Sequence, residues 1–185
     1  KLASVELIVV GCEAGGFQTT LPNAVDWEDF IGSEPADYRW PELDENAPMG
    51  LCYTSGTTGK PKGVMLSHRA VCAHAMMTVA ELQLGERDVW GHFAPMFHLA
   101  DAWATFAITQ VGGRHVMVPR FEPGEALATL VDAGITITNL VPTMLNLMVK
   151  HDAARTRRYP SLRAILSGGA PIAPEVVRQI VEVFG

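Results

Sequence analysis

Three things are scarce in this sequence: cysteine, positive charge and long apolar runs. The three cysteines, Cys12, Cys52 and Cys72, are odd in number and show no CxxC spacing. That argues against a disulfide framework and a zinc site, and predicts buried or idle thiols in a reducing, cytoplasmic setting. Lys and Arg number 14 against 20 Asp and Glu, a net charge of -6. This balance gives no electrostatic case for nucleic acid as the main partner. The longest apolar stretch, Leu99 to Val111, is broken by Asp101, Thr105 and Gln110, so no membrane-spanning segment is predicted. His68, His74, His92, His115 and His151 offer no pair at metal-ligand spacing.

What is present is globular: 48% hydrophobic and 18% charged residues. Val5 to Val10 reads as a core strand, and residues 11–48 as mostly loop with a short helix near Asp26 to Ile31. Leu51 to Thr54 and Gly63 to Leu66 read as strands, and Ser67 as the N-cap of a helix stopped by Gly85. Beyond that, strands and helices alternate. Strands are expected at Asp88–Phe93, His115–Val118, Ile135–Val141 and Leu162–Leu166. Helices are expected at Ala100–Val111, Pro123–Ala133, Pro142–His151 and Pro174–Phe184, three of them opened by proline. This alternation predicts an α/β fold with a mainly parallel sheet and flanking helices. Both ends read as cut, so the expectation is a piece of a larger domain.

The most informative stretch is Tyr53-Thr54-Ser55-Gly56-Thr57-Thr58-Gly59-Lys60-Pro61-Lys62-Gly63. Its glycines let backbone N–H groups approach a ligand, while Thr54, Ser55, Thr57 and Thr58 add hydroxyls and the lysines add charge. Together they suit a polyphosphate better than they suit an idle hairpin tip. The stretch is not a Walker A loop. Counting back from Gly59-Lys60 puts Thr54 where that loop needs glycine, and Pro61 where it needs Ser or Thr.

Residues 53–63 closely resemble the signature loop of the adenylate-forming superfamily of acyl-CoA synthetases, nonribosomal peptide adenylation domains and luciferases. Two further segments agree in order and spacing. Phe93-Ala94-Pro95-Met96-Phe97-His98 resembles the acyl-site motif, and Leu166-Ser167-Gly168-Gly169-Ala170-Pro171 the adenine-side motif. Val141-Pro142-Thr143 is typical of the strand–helix junction between them. The resemblance spans about residues 40 to 185; residues 1–39 match loosely.

The resemblance implies a partial N-terminal adenylation domain over residues 1–185, lacking the C-terminal lid domain with its catalytic Lys. It implies ATP and Mg²⁺, with CoA as co-substrate, and a homodimer in the parent protein. Thr54, Ser55, Gly56, Thr57, Thr58 and Gly59 with Lys62 would hold the β- and γ-phosphates, with Thr54 on Mg²⁺. Lys60 would be solvated. His98 would donate to the carboxylate and α-phosphate, although a histidine merely capping that turn is the reading without the resemblance. Trp103 would line or gate an acyl tunnel, or pack in the core. Gly168, Gly169, Ala170 and Pro171 would face adenine, although an ordinary βα turn tolerates the same residues. The motif Tyr-Gly-x-Thr-Glu and the ribose-binding Asp would follow Gly185. The implied activity is that of a fatty acid–CoA ligase. The alternatives are an adenylation domain for an amino or aryl acid, and an inactive nucleotide-binding or structural piece.

Overall fold

Strand and helix alternate along the chain because apolar β-branched runs are punctuated by proline and glycine, and a computed structural model gives the resulting architecture. It describes residues 5–12, 16–32, 34–54 and 59–185. The chain divides into two units, 1–43 and 44–185. In the first, β1 (Ile8–Val10) pairs in parallel with β2 (Ala24–Asp26), which runs into the short helix α1 (Trp27–Gly32). The expected core strand over Val5 to Val10 is shorter than that. Val5 and Leu7 are exposed, and the strand itself is only half-buried.

The second unit opens with an antiparallel hairpin of β3 (Pro48–Thr54) and β4 (Lys62–Ser67). Helix α2 (His68–Leu82) follows, its first turn capped by the Ser67 hydroxyl accepting from the Ala70 N–H. It ends at Gln83 in the left-handed conformation, not at Gly85. Then come β5 (Val89–His92), α3 (Leu99–Gln110), β6 (Arg114–Met117), α4 (Pro123–Asp132), β7 (Ile137–Asn139), α5 (Pro142–Lys150), β8 (Ala164–Leu166) and α6 (Pro174–Phe184). Helices α4, α5 and α6 carry proline in the first turn, where its missing N–H costs nothing.

The last four strands form one parallel sheet in the order β6-β5-β7-β8. On one face Trp90 and Ile137 pack under α2 and α3, against Ala75 of α2 and Ala104, Ala107 and Ile108 of α3. The other face packs under α4 and α5 through Phe93, Ile135, Leu127, Leu130, Leu145 and Met148. Gly91 sits on that second face because nothing larger fits. A Cβ there would lie 2.6 Å from the Phe93 ring and 2.7 Å from Ile135, both buried.

At the N-terminal edge of the sheet one carboxylate ties three strands together. Asp88, just before β5, accepts from Arg163 Nε and Nη2 at 2.9 Å each, just before β8. It also accepts from Thr136 Oγ1 at 2.7 Å, just before β7, and from the Gly85 N–H. Burial alone would raise the Asp88 pKa. The hydrogen bonds from Arg163, Thr136 and Gly85 outweigh it and hold the carboxyl below its ordinary range. Arg163 is 39% exposed, so solvent screens part of the pair. Asp88→Asn is therefore expected to cost about 1–2 kcal/mol at neutral pH. A depressed carboxyl stabilises fully above its unfolded pKa of about 4 and loses that contribution as pH falls through the folded value. Urea unfolding should show the gap between wild type and Asp88→Asn closing below about pH 4. A gap that persists unchanged in acid would show that the charge is not what ties the strands.

Candidate functional site

In a parallel sheet all strands point one way, so the loops leaving their C-terminal ends gather at one edge. Here these loops are residues 93–98 after β5, 118–122 after β6, 140–141 after β7 and 167–173 after β8. The order β6-β5-β7-β8 reverses direction between β5 and β7, and ligands bind parallel α/β sheets outside the carboxyl ends at such a reversal. The segments holding His98, Val141-Pro142 and Gly168-Gly169-Ala170-Pro171 all lie on this edge. The last is exposed, with Gly169 at φ +81°, and no atom lies within 4 Å of where a Cβ would stand on Gly168 or Gly169. The surface there is open to a flat ring.

His98 is the N-cap of α3. Its Nδ1 accepts from the Ala100 N–H at 3.0 Å, which puts the proton of the neutral ring on Nε2 and leaves that atom as a donor. The capping reading of His98 is thus correct, and it delivers the tautomer that the substrate reading needs. The cap bond is observed, and it leaves Nε2–H free of that bond.

Thr54 and Lys62 face each other as the last rung of the β3–β4 ladder, with the Thr54 hydroxyl 3.5 Å from the Lys62 carbonyl. Both are exposed, as are Gly59, in the left-handed conformation at φ +79°, and Lys60. The pairing fixes where Lys62 leaves the hairpin, while Lys60 lies beyond the ladder. Ser55, Gly56, Thr57 and Thr58 lie outside the described residues. Among the described residues no hydrogen bond or ion pair joins this hairpin to His98 or to residues 167–171.

What does connect the hairpin to α3 is a cavity of about 550 Å³. Leu51 and Leu66 from the hairpin, Val71 from α2, and Leu99, Trp103 and Phe106 from α3 supply its wall. Among the described residues no Asp, Glu, Lys or Arg lines it, and His74 and Cys52 are the titratable residues in its wall. Leu99 adjoins His98, so the apolar space begins beside the cap. Trp103 is fixed, not loose: its indole N–H donates to the Ala100 carbonyl at 3.1 Å, and its ring meets Trp90 and His74 edge to face. A second hollow of about 730 Å³ shares His74 and Trp103 and extends to Glu81 and Leu166.

The sequence profile of the AMP-binding enzymes matches residues 6–185 of this chain. The chain belongs to the AMP-binding enzyme family. The match takes in most of residues 1–39, where the motifs alone gave only loose agreement. Among its relatives is the medium-chain-fatty-acid–CoA ligase of Ectopseudomonas oleovorans, 34% identical over 89% of this chain and 31% of that protein. The fold matches the N-terminal domain of FACL13 from Mycobacterium tuberculosis, with a TM-score of 0.81 at 23% identity, over 96% of this chain and 48% of that one. It also matches the o-succinylbenzoate–CoA synthetase of Bacillus subtilis solved with ATP and magnesium, with a TM-score of 0.73 at 30% identity, over 86% and 33%. The chain spans about a third of the length of the relatives it matches.

The described part of this AMP-binding enzyme contains no group of three or more His, Cys, Asp or Glu that could hold a metal. Among the described residues of the loop, the Thr54 hydroxyl fits Mg²⁺ as one ligand beside phosphate oxygens and water. Sequence reasoning also passed over Asp101, His92 and His115, which the fold brings together beneath α3. Asp101 was read only as a break in an apolar stretch. The signal available was its place in the first turn of that helix, with Trp90 and His92 alternating on the preceding strand.

Because His98 caps α3, His98→Ala should destabilise this AMP-binding enzyme by about 1 kcal/mol in urea unfolding. His98→Asn restores a side-chain acceptor and should recover most of that loss. Equal loss in both variants would mean that the cap bond contributes nothing.

Proposed function

We propose that the chain is part of an ATP-dependent carboxylic acid–CoA ligase whose acid is a fatty acid. In this reading residues 1–185 belong to the large N-terminal domain of a longer cytoplasmic protein, whose lid domain brings the catalytic Lys. The observation that carries the reading is the apolar cavity beginning at Leu99 beside the His98 cap, lined without a fixed charge. An alkyl chain enters such a space with favourable desolvation, and an amino acid's ammonium finds no carboxylate in it. The relationship to a medium-chain-fatty-acid–CoA ligase supports the same choice.

The chemistry has two steps. A carboxylate oxygen attacks the α-phosphorus of ATP, the α–β bridging bond breaks, and pyrophosphate leaves. The CoA thiol, losing its proton to solvent, then attacks the acyl carbon, the acyl–phosphate bond breaks, and AMP departs with the electron pair. Residues 54–59 with Lys62 would hold the β- and γ-phosphates, and Thr54 would be one ligand of a Mg²⁺ that would supply charge neutralisation there. His98 donates Nε2–H toward the carboxylate and α-phosphate. Residues 168–171 accept the adenine, and Trp103 lines the acyl space. The relative solved with ATP and magnesium is named for o-succinylbenzoate, so the test must include aromatic acids.

The complete protein should catalyse ATP–pyrophosphate exchange with straight-chain fatty acids. Exchange with amino acids alone would sink the ligase reading, and exchange with aryl acids alone would change the acid. If Lys62 grips the leaving pyrophosphate, its contact strengthens as charge builds in the transition state. Lys62→Ala should then slow turnover by roughly one to two decades, more than it raises KM for the acid. Lys60→Ala, beyond the ladder, should cost under about one decade. Equal losses would mean a diffuse electrostatic effect, and a larger loss at Lys60 a wrong loop register.

A further inference from the structure

We infer that Asp101 and His92 are positioning residues that set the rotation of α3 and so the placement of His98, an inference that rests on the substrate role proposed for His98. Asp101 is fully buried in the first turn of α3, three residues after His98. Its Oδ1 accepts from Trp90 Nε1–H at 3.0 Å, and its Oδ2 from His92 Nδ1–H at 3.2 Å. Both donors project from the same face of β5. The neighbouring Ala100 carbonyl accepts from Asn139 Nδ2 on β7. The first turn of α3 is thus tied to the two strands that flank the reversal of strand order.

The tie continues along the underside of the helix. His92 Nε2 lies 2.9 Å from His115 Nδ1 on β6, and His115 Nε2 lies 3.1 Å from Thr109 Oγ1 in the last turn of α3. A carboxylate only accepts, so Nδ1 of His92 carries a proton. With neutral rings, His115 Nδ1–H then donates to His92 Nε2, and the Thr109 hydroxyl to His115 Nε2. Burial first, and then the repulsion a second positive charge would meet from the adjacent His92 ring, hold the His115 pKa below its ordinary value, which favours both rings uncharged. The chain runs from the first turn of α3 to the last through two strands.

Apolar packing alone would hold the helix against the sheet while resisting rotation about its axis only weakly. Hydrogen bonds of fixed direction resist that rotation. Side chains extend about 5–6 Å from a helix axis, so a turn of roughly 10° moves the His98 ring by about 1 Å. A misplacement of that size at a reacting centre can cost about a hundredfold in rate.

The test uses the complete ligase and measures kcat and KM for ATP–pyrophosphate exchange in Asp101→Asn, His92→Leu, His92→Asn, His98→Ala and the double variant Asp101→Asn/His98→Ala. Asp101→Asn and His92→Leu should lower kcat by about 10- to 100-fold and move KM for ATP by less than about threefold. His92→Asn keeps an N–H near the Nδ1 position and should recover much of the His92→Leu loss. The double variant should be no slower than His98→Ala alone, because both changes act through one ring. Losses that multiply in the double variant, or a wild-type rate in Asp101→Asn, overturn the inference. Two-bond ¹H–¹⁵N spectra of the unmodified protein need no variant to fold: His92 should be protonated on Nδ1 and neutral His98 on Nε2. The opposite tautomer at either ring also overturns it. Should the complete protein exchange pyrophosphate with no carboxylic acid, the ligase reading fails, and the spectra of wild type and Asp101→Asn still decide whether Asp101 holds the His98 ring.

Discussion

One carboxylate at the lower edge of the sheet sets the register on which the upper edge depends. Asp88 takes hydrogen bonds from residues immediately before β7 and β8 while itself preceding β5. Its own carbonyl accepts from the Arg114 N–H at the start of β6. Four parallel strands have no tight turns between them to fix their offsets, so an ionic clasp across their starts does that work. Every loop at the far edge then leaves from a defined height. The His98 turn, the Val141-Pro142 junction and residues 167–171 are positioned relative to one another before any ligand arrives.

The two edges treat buried charge differently. At the lower edge Asp88 meets a guanidinium that is partly in solvent, so its charge is compensated directly. Beneath α3, Asp101 meets an indole N–H and a histidine ring, donors with direction. The first arrangement resists sliding of the strands, and the second resists rotation of a helix. Burying a carboxylate is costly in either place, and both sites offset that cost by satisfying its oxygens with hydrogen bonds.

Much of the architecture was legible in the sequence because local signals agreed with the global fold. Pro123, Pro142 and Pro174 marked helix starts, Ser67 marked a cap, and the alternation of β-branched runs with helical spacing marked a parallel sheet. Two elements were less legible. Helix α2 ends at Gln83 in a conformation unusual for that residue, so Gly85 drew attention instead. The Asp101 network joins residues on three elements, and its histidines carry no spacing signature, because ligand spacing along one chain reports local geometry only. The glycine- and hydroxyl-rich motif was recognisable by its residues, whereas the apolar cavity arises from packing between the hairpin, α2 and α3.

The sheet also separates two hydrophobic cores that share almost no side chains. Trp90 and Ile137 serve the α2–α3 side, and Phe93 and Ile135 the α4–α5 side, with Gly91 contributing bare backbone between them. Substitutions that reshape the cavity at Leu99, Trp103 or Phe106 therefore work against neighbours unconnected to Leu127, Leu130 or Met148. Free energies of changes on the two sides should add, since sites without shared partners are nearly independent. The shape of that cavity can then drift across one layer of the domain while a reserve of stability accumulates in the other.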